Sequence, residues 1–407
     1  MECVSLWYKG IDLLLMKKFK ADYVFPVNAD PIKNGIVTVD DTGRIIALDD
    51  GLSHSDHGST SIEKLEGVIC PGFVNAHCHV ELSHLKDKIE TKTGLVNFIK
   101  QVQGQRNATT PADIAAASQA ADDEMYRNGI VAVGDISNSA STVTLKNKSK
   151  IYYHTFIEVF GFVPDRAQEI YNNALALRDE FKSLSCSVTP HAPYSVSKDL
   201  FKHINKLSDE RPNLLSIHNQ ESAEENKLYR YKMGDFIDLY EFFNIDISFF
   251  RPQARNSIQT MVPLLSNKQN ILLVHNTFTN LKDIYFVKRF DRKINWCFCP
   301  NANLYIEDQL PKIDLFLDQG FNITLGTDSL ASNHKLCILS EMLTIQQNFN
   351  ALRFEKILPW ATINGAKFLG IADEKGSIEV GKTPGLNLIT GLDNMRITAD
   401  TKVQRLI

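Results

Sequence analysis

Val68-Ile-Cys-Pro-Gly-Phe-Val-Asn-Ala-His77-Cys-His79 is the stretch that decides the architecture. It is an apolar run long enough for a buried strand, and it ends in two histidines separated by one residue. Side chains alternate along a strand, so His77 and His79 face one way and Cys78 the other. Seven further runs of the same kind follow: Ile130–Ile136, Ile151–Val159, Ser185–His191, Leu214–His218, Ile271–His275, Ile294–Cys299 and Asn322–Asp328. Helical patterns separate them, among them Pro111–Asn128, Asp165–Ser183, Lys198–Lys206 and Glu341–Asn350. Eight strand–helix alternations predict an α/β fold, a (β/α)8 TIM-like barrel. An open doubly wound sheet, the competing arrangement, calls for a glycine-rich phosphate loop after the first strand, and the sequence has none there.

The two ends read differently. Tyr23-Val-Phe-Pro, Gly35-Ile-Val-Thr-Val and Arg44-Ile-Ile-Ala-Leu are short β runs, with turns at Asn34-Gly35 and Asp41-Thr-Gly43. Gly376-Ser-Ile-Glu-Val-Gly381-Lys and Pro384-Gly-Leu-Asn-Leu-Ile have the same character. Together they predict a small β-sandwich domain formed by both termini. The expected division is 1–67 and 373–407 for the sandwich and 68–372 for the barrel, with 1–15 an extension ahead of a start at Met16. The polar run Leu52–Ser61 reads as a loop, and its His54 and His57 as solvated surface.

Three later strands also end in a metal-capable residue: His218, His275 and Asp328. In a barrel these ends meet at one rim, where the chemistry of that fold is carried out. A zinc-like ion needs three or four such nitrogen and oxygen ligands with one position open. One strand-ending histidine alone is ordinarily a hydrogen-bonded packing residue; the recurrence on successive strands is what points to a site.

Pro71-Gly-Phe-Val-Asn-Ala-His77-Cys-His79, His218-Asn-Gln-Glu221, Val274-His275 and Gly326-Thr-Asp328-Ser together resemble the amidohydrolase superfamily, over nearly the whole chain. The branch resembled is that of adenosine-type, methylthioadenosine/S-adenosylhomocysteine and guanine deaminases and triazine hydrolases. Within it, His77–Leu85 and the segment from Lys88 to Ile99 are most similar to aminodeoxyfutalosine deaminases of the menaquinone route. The resemblance implies that His77, His79, His218 and Asp328 bind one divalent ion, with zinc expected and iron or manganese as the alternatives. It further implies that Glu221 shuttles protons, that His275 orients or polarises the attacking water, and that Asp328 accepts the water's proton. No lysine ends the fourth strand, where two-metal members carry a bridging one; Ser185–Pro193 offers His191 instead, which favours a single ion.

His191 is expected to contact the purine, with a structural hydrogen bond as the plainer alternative. Glu81 and His84 lie just past the metal pair, where many relatives are apolar; each either faces substrate or caps the next helix. Ser329 and Asn333 follow the aspartate and read equally as substrate contacts or turn residues. The implied activity is deamination of an adenine-containing nucleoside, aminodeoxyfutalosine first. Methylthioadenosine, S-adenosylhomocysteine or adenosine is the second choice and another heterocycle C–N or C–Cl bond the third. A non-catalytic scaffold barrel is the reading from another class, and it calls for lost ligands; here every ligand position is filled.

Composition bounds the rest. The 407 residues are 43% hydrophobic and 23% charged, with a formal net charge of -4, so nothing points to nucleic acid as a partner. Ile11–Met16 is too short for a membrane span and lacks the flanks of a signal peptide, which leaves cytoplasm as the expected location. Seven cysteines with no C-x-x-C pair suggest neither disulfides nor a cysteine zinc site, and Cys297 and Cys299 read as packing thiols on one face of a strand. The expected partner is a small molecule, with a homo-oligomer left open.

Overall fold

The computed structural model describes residues 16–50, 61–106, 108–210 and 213–407. The extension at 1–15 and the loop with His54 and His57, apart from Ser61, lie outside the described residues.

Five strands come first: β1 (Lys17–Val24), β2 (Ile32–Lys33), β3 (Ile36–Val39), β4 (Ile45–Asp49) and β5 (Ile62–Pro71). Eight follow in the central region: β6 (Phe73–Cys78), β7 (Ile130–Ser137), β8 (Tyr152–Val159), β9 (Ser185–Pro190), β10 (Leu214–Asn219), β11 (Asn270–His275), β12 (Lys293–Phe298) and β13 (Asn322–Leu325). Two close the chain, β14 (Leu386–Thr390) and β15 (Lys402–Arg405).

The central strands are buried almost throughout, the pattern of parallel strands covered on both faces. They form two four-stranded parallel sheets, β6-β7-β8-β9 and β10-β11-β12-β13. At one seam, the His218 amide donates to the His191 carbonyl at 2.9 Å, and Thr189 Oγ1 stands in for a ladder group by bonding Ser216 N at 2.9 Å and Ser216 O at 2.8 Å. At the other, Asn75 Nδ2 donates to Thr327 Oγ1 at 2.7 Å while Asn75 Oδ1 accepts from Thr327 N at 3.0 Å. A lone parallel bridge, Cys78 with Asp328, lies beside that pair. Eight parallel strands thus stand where the sequence predicts them; continuous ladders run within each sheet, and single bonds, several from side chains, span between the sheets.

The termini build one seven-stranded sheet, ordered β15-β14-β5-β1-β3-β4 with β2 on β1. In β1 the apolar Phe19, Ala21 and Val24 are buried and pack with Val37, Ile45, Ile69 and Leu388. Among the described residues these strands pair as a single mixed sheet, and their pairing does not by itself establish the expected sandwich. One expected β run differs: Gly376–Lys382 forms turns instead of a strand, with Gly376 at φ 87° and Gly381 at φ 92°. Lys382 Nζ ties the turns down on Ala372 O and Ser377 Oγ. The described helices are all too short or too polar to cross a membrane.

The stretch anticipated as one strand, Val68–His79, is two. Up to Pro71 it belongs to the terminal sheet, pairing with β1 and β14; from Phe73 it belongs to the central region, pairing with β7. Gly72 makes the transfer. Its amide reaches Pro384 O and Gly385 O at 3.3 and 3.2 Å, and a Cβ there would lie 2.2 Å from Val131 Cγ1 and 2.9 Å from Pro384 O. Gly72→Ala is expected to lower stability by ~1–3 kcal/mol, the range for overpacking a tight interior. A urea unfolding midpoint equal to that of the unaltered protein would show that the junction yields freely.

Candidate metal centre and cavity

His77 and His79 stand at the end of β6 and one residue beyond it, on the same side of the strand. Their Nε2 atoms are 3.1 Å apart, and His79 Nε2 is 3.2 Å from His218 Nε2 at the end of β10. Asp328, three residues past β13, brings Oδ1 to 3.6 Å from His77 Nε2 and 3.3 Å from His79 Nε2. All four ligand atoms lie within 4.8 Å of one another, and all four residues are buried.

The outer nitrogens of the rings set which inner atoms are free. His218 Nδ1 is 3.0 Å from the His191 carbonyl oxygen, which only accepts, so Nδ1 carries the proton and Nε2 presents its lone pair. His77 Nδ1 is bonded to Ser216 Oγ at 3.0 Å. Burial pushes the His77, His79 and His218 imidazoles below their ordinary range, His77 and His79 by a large margin. The facing nitrogens at 3.1 and 3.2 Å suit either a bridging N–H or a shared cation, and His218, with its Nδ1 protonated, offers a lone pair. Burial alone would raise the Asp328 carboxyl, but His79 and His275 beside it bring it below the usual range, and Ser332 Oγ donates to its other oxygen. Three imidazoles and a carboxylate are a donor set that fits zinc or a similar divalent ion.

The turn after the histidine pair is held from beneath. Val80 N donates to Asp135 Oδ1 at 2.8 Å, and Asp135 Oδ2 is 2.6 Å from Lys146 Nζ, both side chains being fully buried. Lys146 also donates to Ser137 and Thr155 at 3.0 Å each. Such a pair is stable in a dry interior only because the remaining donors are met as well.

His275 ends β11 at φ 71°, a backbone region that non-glycine residues rarely occupy. Its ring is buried, neither nitrogen has a hydrogen-bond partner among the described residues, and Nε2 is 3.6 Å from Glu221 Oε1. Glu221 sits between Gln220, itself left-handed at φ 45°, and Ser222, whose hydroxyl caps helix Ala223–Tyr231. Burial, reinforced by Asp328, pushes the Glu221 carboxyl well above the ordinary carboxylate range.

These groups open on one cavity of about 730 Å³. His191 lines it, with Nδ1 on Ser195 Oγ at 2.7 Å and its ring against Phe160, and so does Ser329. Glu81 does not line it: the carboxylate pairs with Arg106 and accepts from Asn138 N and Ser139 Oγ at 3.1 Å each. His84 bonds the carbonyls of Glu81 and Arg106, Asn333 Nδ2 donates to the Thr327 carbonyl and the Glu341 carboxylate, and neither residue lines the cavity. Cys297 and Cys299 are buried beneath the site in the strand core, as anticipated.

Sequence reasoning missed Asn138, Glu158 and Arg106, which also line the cavity. Asn138 and Glu158 stand at the ends of β7 and β8, so asking what lies at every strand end, and not only which ends carry histidine, would have found them. Arg106 follows helix Leu95–Gln105 with no local signal. Burial raises the Glu158 carboxyl to about 8.

Residues 68–405 match the amidohydrolase family. The chain belongs to that family, and it is a hydrolytic enzyme of this metal-dependent class. An adenosine deaminase of Helicobacter pylori is 28% identical over 79% of this chain and 78% of its own length. In fold, the chain is similar to Helicobacter pylori aminofutalosine deaminase in complex with methylthio-coformycin, at TM-score 0.82 and 24% identity, covering 96% of this chain and 100% of that one. It is also similar to an adenosine deaminase from Xanthomonas campestris with bound zinc, at TM-score 0.70 and 23% identity, covering 91% and 84%.

The four-residue ligand set predicts about one divalent ion per chain in the purified protein. Elemental analysis should find it, and His218→Ala should lose it. Two ions per chain at full occupancy, or undiminished turnover after exhaustive chelation, would count against this assignment.

Proposed function

We propose that this chain hydrolytically deaminates an adenine-containing nucleoside, with His77, His79, His218 and Asp328 holding one divalent ion. The observation that carries the reading is Glu221: a buried carboxyl 3.6 Å from His275, facing the same cavity as the ligand set. The bound ion supplies a water acidified towards neutral pH. Glu221, its carboxyl pushed upward by burial, gives a proton to the ring nitrogen beside the amine-bearing carbon. His275, with no protein hydrogen bond of its own, orients the attacking water, and Asp328 takes the proton that water sheds. The apolar walls exclude bulk water, and ammonia leaves after the second proton transfer. In the same reading the two parallel sheets act as one (β/α)8 barrel spanning 68–372, with 1–67 and 373–407 forming the appended domain.

The favoured substrate is aminodeoxyfutalosine, whose bulk beyond the ribose suits a cavity of about 730 Å³ with a wall of Leu95, Phe98, Ile99 and Val102. The fold likeness to an aminofutalosine deaminase is consistent with this. A second reading, adenosine or methylthioadenosine, is supported by Arg106 being already paired with Glu81, which leaves less positive charge for an anionic substituent. Kinetics on the three nucleosides, followed by the ultraviolet shift of the purine, should give the highest kcat/KM for aminodeoxyfutalosine. A preference for either of the others moves the assignment to the second reading, and no ammonia from any purine refutes both.

Glu221→Gln keeps the size and loses the transferable proton. Turnover should fall by ~10²–10⁴-fold while metal content is retained. Turnover within threefold of the unaltered enzyme would remove Glu221 from the mechanism.

A further inference from the structure

Glu158 is a buried carboxyl with one oxygen committed and one left over. The commitment is set by a chain of bonds that starts outside the ligand set. Glu81 pairs with Arg106, and Arg106 Nη2 donates to Asn138 Oδ1 at 3.2 Å, which fixes the Asn138 amide with its NH2 pointing inward. That NH2 donates to Glu158 Oε2 at 3.0 Å and to the Glu158 carbonyl at 3.2 Å. Glu158 Oε1 has no hydrogen-bond partner among the described residues. The nearest donor, His218 Nδ1 at 3.4 Å, already gives its proton to the His191 carbonyl at 3.0 Å. A buried oxygen without a partner is costly, and the residue that carries it lines the cavity together with His191, which is expected to contact the purine.

We propose that Glu158 is the sugar-reading residue of this enzyme, its free Oε1 bonding a hydroxyl of the vicinal diol of the nucleoside's ribose. This rests on the nucleoside reading above. A hydroxyl suits the position because it both donates and accepts, so it satisfies Oε1 whether or not the carboxyl carries a proton. A cation is the poorer fit: Glu158, His191 and His218 do cluster, but His191 Nδ1 is bonded to Ser195 and His218 Nδ1 to a carbonyl. The Asn138 amide and His218 Nδ1 are both committed elsewhere, so a nucleoside lacking the matching hydroxyl would leave Oε1 stranded.

The test compares kcat/KM for adenosine, 2′-deoxyadenosine and 3′-deoxyadenosine. In the unaltered enzyme at least one deoxy analogue should be poorer by roughly 10- to 100-fold. In Glu158→Leu, which fills similar space without a hydrogen-bonding atom, that ratio should shrink to within about threefold, through loss on adenosine and not gain on the analogue, with metal content unchanged. Equal handling of all three nucleosides by the unaltered enzyme overturns the proposal without recourse to any variant. So does a Glu158→Leu enzyme that keeps the full ratio, or a second bound ion that this variant loses. Failure of the nucleoside reading itself is told apart by the absence of ammonia from every nucleoside, and the proposal falls with it.

Discussion

The carbonyl oxygen of His77 is the point on which the site depends. It accepts from Thr327 N at 3.1 Å and from Asp328 N at 3.2 Å, and so holds the end of the last central strand against the end of the first. Gly326 permits this approach, since a Cβ there would lie 2.8 Å from the same oxygen and 2.9 Å from His77 Cβ. The seam leaves Asp328 in a left-handed conformation at φ 56°, from which its carboxylate reaches the two imidazoles of β6. Aspartate tolerates that conformation better than most residues, which is a reason, beside its charge, for finding it there. His275, Asn276 and Gln220 are left-handed as well, so strain gathers where the strands hand over to the cavity.

Much of this was legible because strand alternation is a strict rule. His77-Cys-His79 could present two imidazoles together only if the stretch was extended, and the runs ending in His218 and His275 fell within a residue or two of β10 and β11. What was not legible has physical reasons. Pro71-Gly72 lies inside an unbroken apolar run, and nothing local says that the chain changes sheets there. Gly376–Lys382 has the composition of a strand, yet the bonds of Lys382 hold it as turns. Glu81 looked free to face substrate because its partner, Arg106, is separated from it by a whole helix.

The polar groups around the site form two separate supports. Beneath the histidine pair, Lys146 and Asp135 anchor the Val80 amide in a dry interior. On the cavity side, Glu81, Arg106 and Asn138 lock one another and determine which Glu158 oxygen is bonded and which is left without a hydrogen-bond partner among the described residues. Both depend on complete pairing, because in a low-dielectric interior a half-met group costs more than an apolar one. This is why charged residues occur at such depth in a chain of ordinary composition.

The outer wall of the cavity comes from helix Leu95–Gln105 and from the region of helix Phe236–Phe242, which contributes Leu239 and Tyr240. Neither helix carries a member of the ligand set, nor Glu221, His275 or Asp328. The groups that react are borne on strand ends, as are Glu158 and His191, whereas much of the apolar wall is borne on two excursions from that frame. Divergence within such a lineage can therefore proceed by drift or wholesale exchange of two short segments. The diet of the enzyme can change while its reaction is inherited intact.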